Sequence, residues 1–377
     1  MKKRKIILAT GIFYPDVGGP AIHVRKIAEK LCEEGFEVVV VAYGENKEPD
    51  NFPFKVVRIS RGSPKILQWI FYFLEVLKAS FGASLLYAFD PTAAGLPSSV
   101  ASFVLRKPFI IRIGGDPIWE RVVETGKRFV TIEEYYKDKL HLVDNPNLFN
   151  LIKWVLNRAK FVVVYNQFFK DFYANNFAID SKKILIVKNP VFVREKNTTP
   201  LSLKPTILFA GRFVTYKNLK MVLKSFTKVL EKKPEANLSL IGKGPEKEDL
   251  EMLVKDLGLK ESVSFADSLP QEELFKRIRD SAFSLAPALN EFNPNFILES
   301  LSFGKPVLIS KGHGLSVALE EEFVFDSKDE SELVNKMLFL LDEESYKEAL
   351  RKIHALDLNQ TWEDVLNFHV KLIKENI

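Results

Sequence analysis

Ten short apolar runs recur along the chain, most of them followed by a glycine-rich or polar loop and a stretch of helical periodicity. "FEVVVVAYG", "ASLLYAF", "PFIIRIG" and "FVVVYN" are close to continuously apolar. A strand that is apolar on consecutive residues is covered on both faces, which is the situation of a parallel sheet flanked by helices. The first repeat shows the pattern in full. After "KIILAT" and a glycine loop comes "PAIHVRKIAEKLCEEG", where Val24, Ile27, Ala28 and Leu31 fall on one helical face. Pro20 suits a first helical position and Gly35 the residue after the helix end. The fold class expected from this alternation is α/β.

A chain of 377 residues has room for two such domains. The pattern breaks in "KNPVFVREKNTTPLSLKP", where three prolines sit among Asn, Thr and Ser residues, the composition of an interdomain linker. It then restarts with "TILFA", "LSLIG", "VSFAD", "FSLAPAL" and "PVLIS". The expected organisation is a domain over 1–190, a linker over 191–205 and a second domain over 206–360. In open parallel sheets ligands sit outside the carboxyl ends of the strands, so the expected site is a cleft between two Rossmann-like domains.

Several function classes recede on composition. With 54 basic against 49 acidic residues, the formal charge of +5 leans toward anionic partners. No basic run interleaved with aromatics and no zinc spacing occurs, so nucleic acid is not an expected partner. The single cysteine, Cys32, excludes a disulfide framework and fits a reducing, cytoplasmic setting. "MKKRKIILATG" has too short an apolar run for a signal peptide and reads as a first strand. The strongest membrane candidate, "KILQWIFYFLEVLKASF" (65–81), contains Glu75 and Lys78 and is shorter than the ~20 residues a span needs. It is read as core, with docking to a membrane surface as the alternative.

Loops at the strand ends hold the candidate chemistry. "YPDVGGP" puts Gly18 and Gly19 before a helix start, either as a turn or as bare amides for an anion. "AGRFVTYKN" puts Arg212 and Lys217 before a helix beginning near Asn218. A guanidinium fork and an ammonium beside a helix N-terminus can clamp a diphosphate without a metal. Both are read as exposed loop charges whose loss would spare the fold. In "IGKGPE", Gly242 and Gly244 read as a tight turn. In "EFNPNFILES", Asn293 suits an N-cap, Pro294 a first helical residue, and Phe296, Ile297, Leu298 and Leu301 a buried face. Glu291 then precedes the helix and Glu299 lies more than a turn inside it. The stretch 117–149, mixing aromatics with charge, is either an acceptor loop or a covering excursion. His23 and His313 are each read as structural or as substrate contacts.

In order, "FYPDVGGPAIHVRKIAEKL", "DPTAAGLP", "KNP", "GRFVTYKN", "IGKGPE" and the E-x7-E of Glu291 and Glu299 resemble the retaining GT-B glycosyltransferases of the large bacterial and archaeal group that uses nucleotide donors. The resemblance spans nearly the whole chain. It implies that Gly18 and Gly19 approach the donor phosphate or the acceptor and that Arg212 and Lys217 hold the diphosphate. Glu291 would meet the donor sugar and Glu299 the ribose hydroxyls, with Asn295 counted among the donor-binding residues. It also implies a final helix over 361–377 that packs back on the first domain. The expected partners are a nucleotide sugar and a glycan or lipid-linked acceptor, with no cofactor, no metal, and peripheral contact at the inner membrane face as a variant. Two departures stand out. Many relatives carry a histidine where this chain has Gly114, Gly115 and Asp116, so either Asp116 takes that role or the sugar is held differently. "KGHGLSV" (311–317) replaces a usual glycine-glycine-x-proline-glutamate. Rival readings are a sugar-nucleotide epimerase and a binding protein without turnover.

Overall fold

The structure is a computed structural model that describes residues 3–16, 19–45, 51–191, 200–292, 294–315, 317–358 and 360–377. The expected linker falls largely outside them, as do Gly18 and Asn293. Two compact units are resolved. The first comprises Met1–Asp116, His141–Pro190 and Trp362–Ile377, and the second Pro117–Leu140 and Val191–Thr361. Residues 117–140, which the sequence leaves inside the first half, therefore cluster with the second unit, and residues 362–377 with the first.

In the first unit the strands are β1 (Lys5–Thr10), β2 (Glu37–Tyr43), β3 (Lys55–Ile59), β4 (Ala83–Ala88), β5 (Phe109–Arg112), β6 (Phe161–Val164) and β7 (Ile184–Ile186). All pair in parallel, in the order β3-β2-β1-β4-β5-β6-β7. Helices α1 (Gly19–Glu33), α2 (Lys65–Ser80) and α3 (Gly95–Leu105) lie along the early part of the chain. After them, α4 (Pro117–Glu124) and α5 (Ile132–Lys137) belong to the second unit. The first unit resumes with α6 (His141–Asp144), α7 (Pro146–Arg158) and α8 (Gln167–Phe177). The edge strands β3 and β7 are not among the runs above: β3 is incompletely covered and interrupted by Arg58, and β7 is only three residues long. The burial of β3 rises from exposed through intermediate to buried only at Ile59.

The second unit repeats the winding with β8 (Thr206–Ala210), β9 (Asn237–Ile241), β10 (Val263–Ala266), β11 (Phe283–Ala286), β12 (Val307–Ser310) and the two-residue β13 (Val324–Phe325). The order is β10-β9-β8-β11-β12-β13, again all parallel. Its helices are α9 (Leu219–Leu230), α10 (Lys247–Asp256), α11 (Gln271–Asp280), α12 (Asn295–Ser302), α13 (Glu330–Leu340) and α14 (Glu343–His354). In α9 the buried Leu219, Val222, Leu223, Phe226 and Val229 follow the 3.6-residue period. α15 (Trp362–Lys374) ends the chain and contributes Val365, Val370, Leu372 and Ile373 to the core of the first unit.

Each unit is a doubly wound, Rossmann-like sheet, in which the strand order reverses beside its first strand. Such a reversal leaves a crevice at the carboxyl ends of the two central strands. In the first unit that point lies between β1 and β4, and in the second between β8 and β11. One expectation is overturned here. The aromatic helix 65–81 is not core: of α2 only Tyr72, Val76 and Ser80 are buried.

Candidate functional site

At the carboxyl end of β8 the chain turns back toward its neighbour's loop. The Gly211 amide donates to the Ile241 carbonyl at 2.9 Å and the Phe213 amide to the Lys243 carbonyl at 2.8 Å. This close approach explains both glycines of "IGKGPE". A Cβ on Gly242, whose φ is +152°, would stand 1.8 Å from the Gly211 carbonyl oxygen, and one on Gly244 2.2 Å from that of Phe213. The requirement is the contact between two loops as much as a local turn.

Beyond it, Arg212 donates to the Glu124 carboxylate at 2.5 Å and to the Tyr216 hydroxyl at 3.3 Å. Lys217 closes a short 3-10 turn, Thr215–Lys217, just ahead of α9. Its ammonium pairs with the Glu291 carboxylate and lies 5.2 Å from the centre of the Tyr216 ring. The two paired side chains keep only 11% and 15% of their surface exposed. Lys217 is thus not the exposed loop charge the sequence suggests, whereas Arg212, 61% exposed, is. Burial disfavours the ammonium, but the Glu291 carboxylate more than offsets this and holds the Lys217 pKa above the ordinary lysine range. Arg212 is likewise raised: burial opposes its charge, and Tyr216 and Glu124 outweigh it.

Glu291 follows β11, so the switch point of the second sheet gathers cations from one side and a carboxylate from the other. Its backbone is fastened to the loop after β12: its amide donates to the Gly312 carbonyl at 3.1 Å, and the Gly314 amide to its own carbonyl at 2.6 Å. Burial lowers the His313 pKa, keeping the ring neutral near pH 7. The same loop needs Gly312, because a Cβ there would lie 2.3 Å from the Asn290 side-chain nitrogen.

α12 begins at Asn295, one residue after Pro294 and four after Glu291. Helical geometry therefore does not span the two glutamates. Glu299 sits half-buried in α12 and accepts a hydrogen bond from Gln271 at 3.3 Å. Asn295, exposed, opens the helix. In the first unit Gly19 is the first residue of α1 and Asp116, fully buried, directly precedes α4. A Cβ at Gly114 would meet the Tyr165 hydroxyl at 2.1 Å, so a larger residue there would displace the Tyr165 ring.

Asn290, 1% exposed, escaped the sequence reading. Its side-chain oxygen accepts from the Ile132 amide at 2.8 Å, and its nitrogen donates to Glu133 at 3.1 Å and to the Gly312 carbonyl at 3.2 Å. Trp119 was missed too: it packs edge-on against Tyr216 and Phe292, with ring centres 5.5 and 5.2 Å away. α4 and α5 thereby brace the loops carrying Lys217 and Glu291. The available signal was Asn290 itself, a lone amide closing the apolar "FSLAPAL" run. Among the described residues, no three His, Cys, Asp or Glu side chains gather into a metal-binding group.

Two family profiles match in succession, "Glycosyltransferase Family 4" over residues 17–194 and "Glycosyl transferases group 1" over residues 179–355. The sulfoquinovosyl transferase of Arabidopsis thaliana is 30% identical over 155 residues, 40% of this chain but 29% of that protein. An uncharacterised glycosyltransferase of Methanocaldococcus jannaschii is 23% identical over 84% of this chain and 83% of its own length. Among solved structures, Anabaena HepE in complex with UDP-glucose superposes with a TM-score of 0.75 at 14% identity, covering 98% of this chain and 99% of the other. With two doubly wound parallel sheets in tandem and both profiles in register with them, the chain belongs to the group 1 glycosyltransferases of the GT-B fold.

Proposed function

We propose that the chain transfers a glycosyl group from a nucleoside diphosphate sugar to a glycan or lipid-linked acceptor, with retention of configuration. The observation that carries this reading is the convergence of Arg212, Lys217 and Glu291 on the switch point between β8 and β11. Arg212 and Lys217 hold the diphosphate and neutralise the charge that develops as it leaves. Arg212 exchanges Glu124 for phosphate at little cost, because a pair this exposed contributes little. Lys217 stays anchored by Glu291 while its remaining donors reach phosphate. Glu299 accepts from the ribose hydroxyls and Glu291 from the donor sugar. Asn295 offers the N-terminus of α12 and Gly19 that of α1, the glycine pair Gly18 and Gly19 approaches the donor phosphate or the acceptor, and Asp116 takes the part of the histidine carried by many relatives.

The nucleoside diphosphate that most raises the melting midpoint, chosen from UDP, GDP and ADP, serves as the probe. In calorimetry, Glu299→Gln should weaken its binding roughly tenfold or more through lost charge-assisted bonds. Glu291→Gln should leave that binding no weaker, because it also removes a carboxylate that competes with phosphate for Lys217, while turnover falls. Equal weakening in both variants would show the roles to be wrong.

Leaving-group stabilisation is assigned to the protein's own cations, so no divalent metal is required. With donor and acceptor in hand, excess EDTA should leave the rate unchanged. A loss that Mg²⁺ or Mn²⁺ restores would transfer the two glutamates to metal ligation.

A further inference from the structure

α3 packs against both α2 and α7, so these three helices of the first unit form one layer. α2 turns Tyr72, Val76 and Ser80 inward, a single stripe at four-residue spacing. Its opposite stripe, Ile66, Ile70 and Leu74 with Leu67 and Phe71 alongside, is exposed, Ile66 to 76% and Phe71 to 48%. The neighbouring helices expose Phe103 and Val104 on α3 and Trp154 on α7. An apolar surface of this kind on one layer is more than the scattered exposure of an ordinary monomer.

Charge decides what covers it. Residues 65–81, 95–107 and 146–160 carry seven basic side chains and one acid, Glu75, a net of +6 in a chain whose total is +5. The remainder of the chain is therefore close to neutral. Arg158 arches over the Phe103 ring at 4.8 Å, placing cation and apolar surface side by side. A second copy of the chain would bring the same positive layer against itself in a two-fold contact. A nucleic acid would satisfy the cations but offer nothing to Ile66, Ile70 and Leu74. An anionic bilayer meets both demands. Crossing it is not an option, since no described helix is long and apolar enough.

We propose that the α2–α3–α7 layer docks on an anionic lipid surface. α2 lies in the plane of the interface, with Ile66, Ile70 and Leu74 among the acyl chains and the surrounding Lys and Arg side chains at the headgroups. This inference goes beyond the transfer reading and does not rest on it.

The test is co-sedimentation of the full chain with vesicles of phosphatidylcholine alone and of phosphatidylcholine mixed with phosphatidylglycerol, at low and high salt. The expected result is binding to the mixed vesicles that weakens as salt rises. The triple variant Ile66→Ser, Ile70→Ser, Leu74→Ser should bind them at least about tenfold more weakly. Its melting midpoint should match the parent's, since all three side chains are already exposed. Three results would overturn the proposal: no preference for the anionic vesicles at low salt, undiminished binding of the triple variant, or self-association of the parent that the triple variant abolishes, which would give the face to a second copy.

Discussion

Deletion of residues 362–377 is expected to abolish cooperative unfolding of the first unit and to send the chain into the insoluble fraction. α15 buries Val365, Val370, Leu372 and Ile373 in the core that also contains Leu8, Val24 and Leu31. At about 1.5–3 kcal/mol for each aliphatic side chain, these four contribute on the order of 6–12 kcal/mol, comparable with the whole stability of an ordinary domain. The loss is compounded by polar contacts. The Tyr87 hydroxyl and the His369 ring nitrogen are hydrogen-bonded at 3.0 Å, and the His23 ring lies 4.8 Å from that of Trp362. Because so large a deletion reads out mainly as insolubility, the double variant Val370→Ala, Ile373→Ala is the graded companion, costing roughly 2 kcal/mol or more. A truncated chain that stays soluble and melts like its parent would show that α15 is not part of that core.

The second large effect belongs to Lys217→Ala. It leaves the Glu291 carboxylate, with 15% of its side chain exposed, without its ammonium. Removing one partner of a buried pair costs about 3–5 kcal/mol, because the other charge stays desolvated. The slight exposure here places the expectation at the lower end. The variant should also lose nucleoside diphosphate binding by roughly 10- to 100-fold, from both the missing donor and the uncompensated anion. Lys217→Met combined with Glu291→Gln separates the two effects: stability should recover substantially while binding stays weak. If Lys217→Ala bound the diphosphate as tightly as the parent, the anion clamp would lose its central member. Arg212→Ala is the contrast, since its pair is exposed: a weakened clamp with little change in melting.

The sequence by itself determined the architecture. Continuous apolar runs and amphipathic stretches alternate, and only a parallel sheet covered on both faces accommodates that pattern, so α/β class, tandem arrangement, the strand-end location of Arg212, Lys217 and Glu291 and the helical location of Glu299 were legible. Local information also placed the helix starts to within a residue or two, at Gly19 for α1 and Leu219 for α9. What depended on distant neighbours was not legible. β3 lies at a sheet edge and is interrupted by Arg58, and β7 and β13, also at edges, are only three and two residues long, too short to stand out as separate runs. α2 is apolar enough to look like core, but composition does not say which neighbours a helix finds, and most of its face finds none. Lys217 and Glu291 are separated by 74 positions. Only the winding of β8 beside β11 turns two independent charges into a buried pair, and with it changes the expected cost of removing either one.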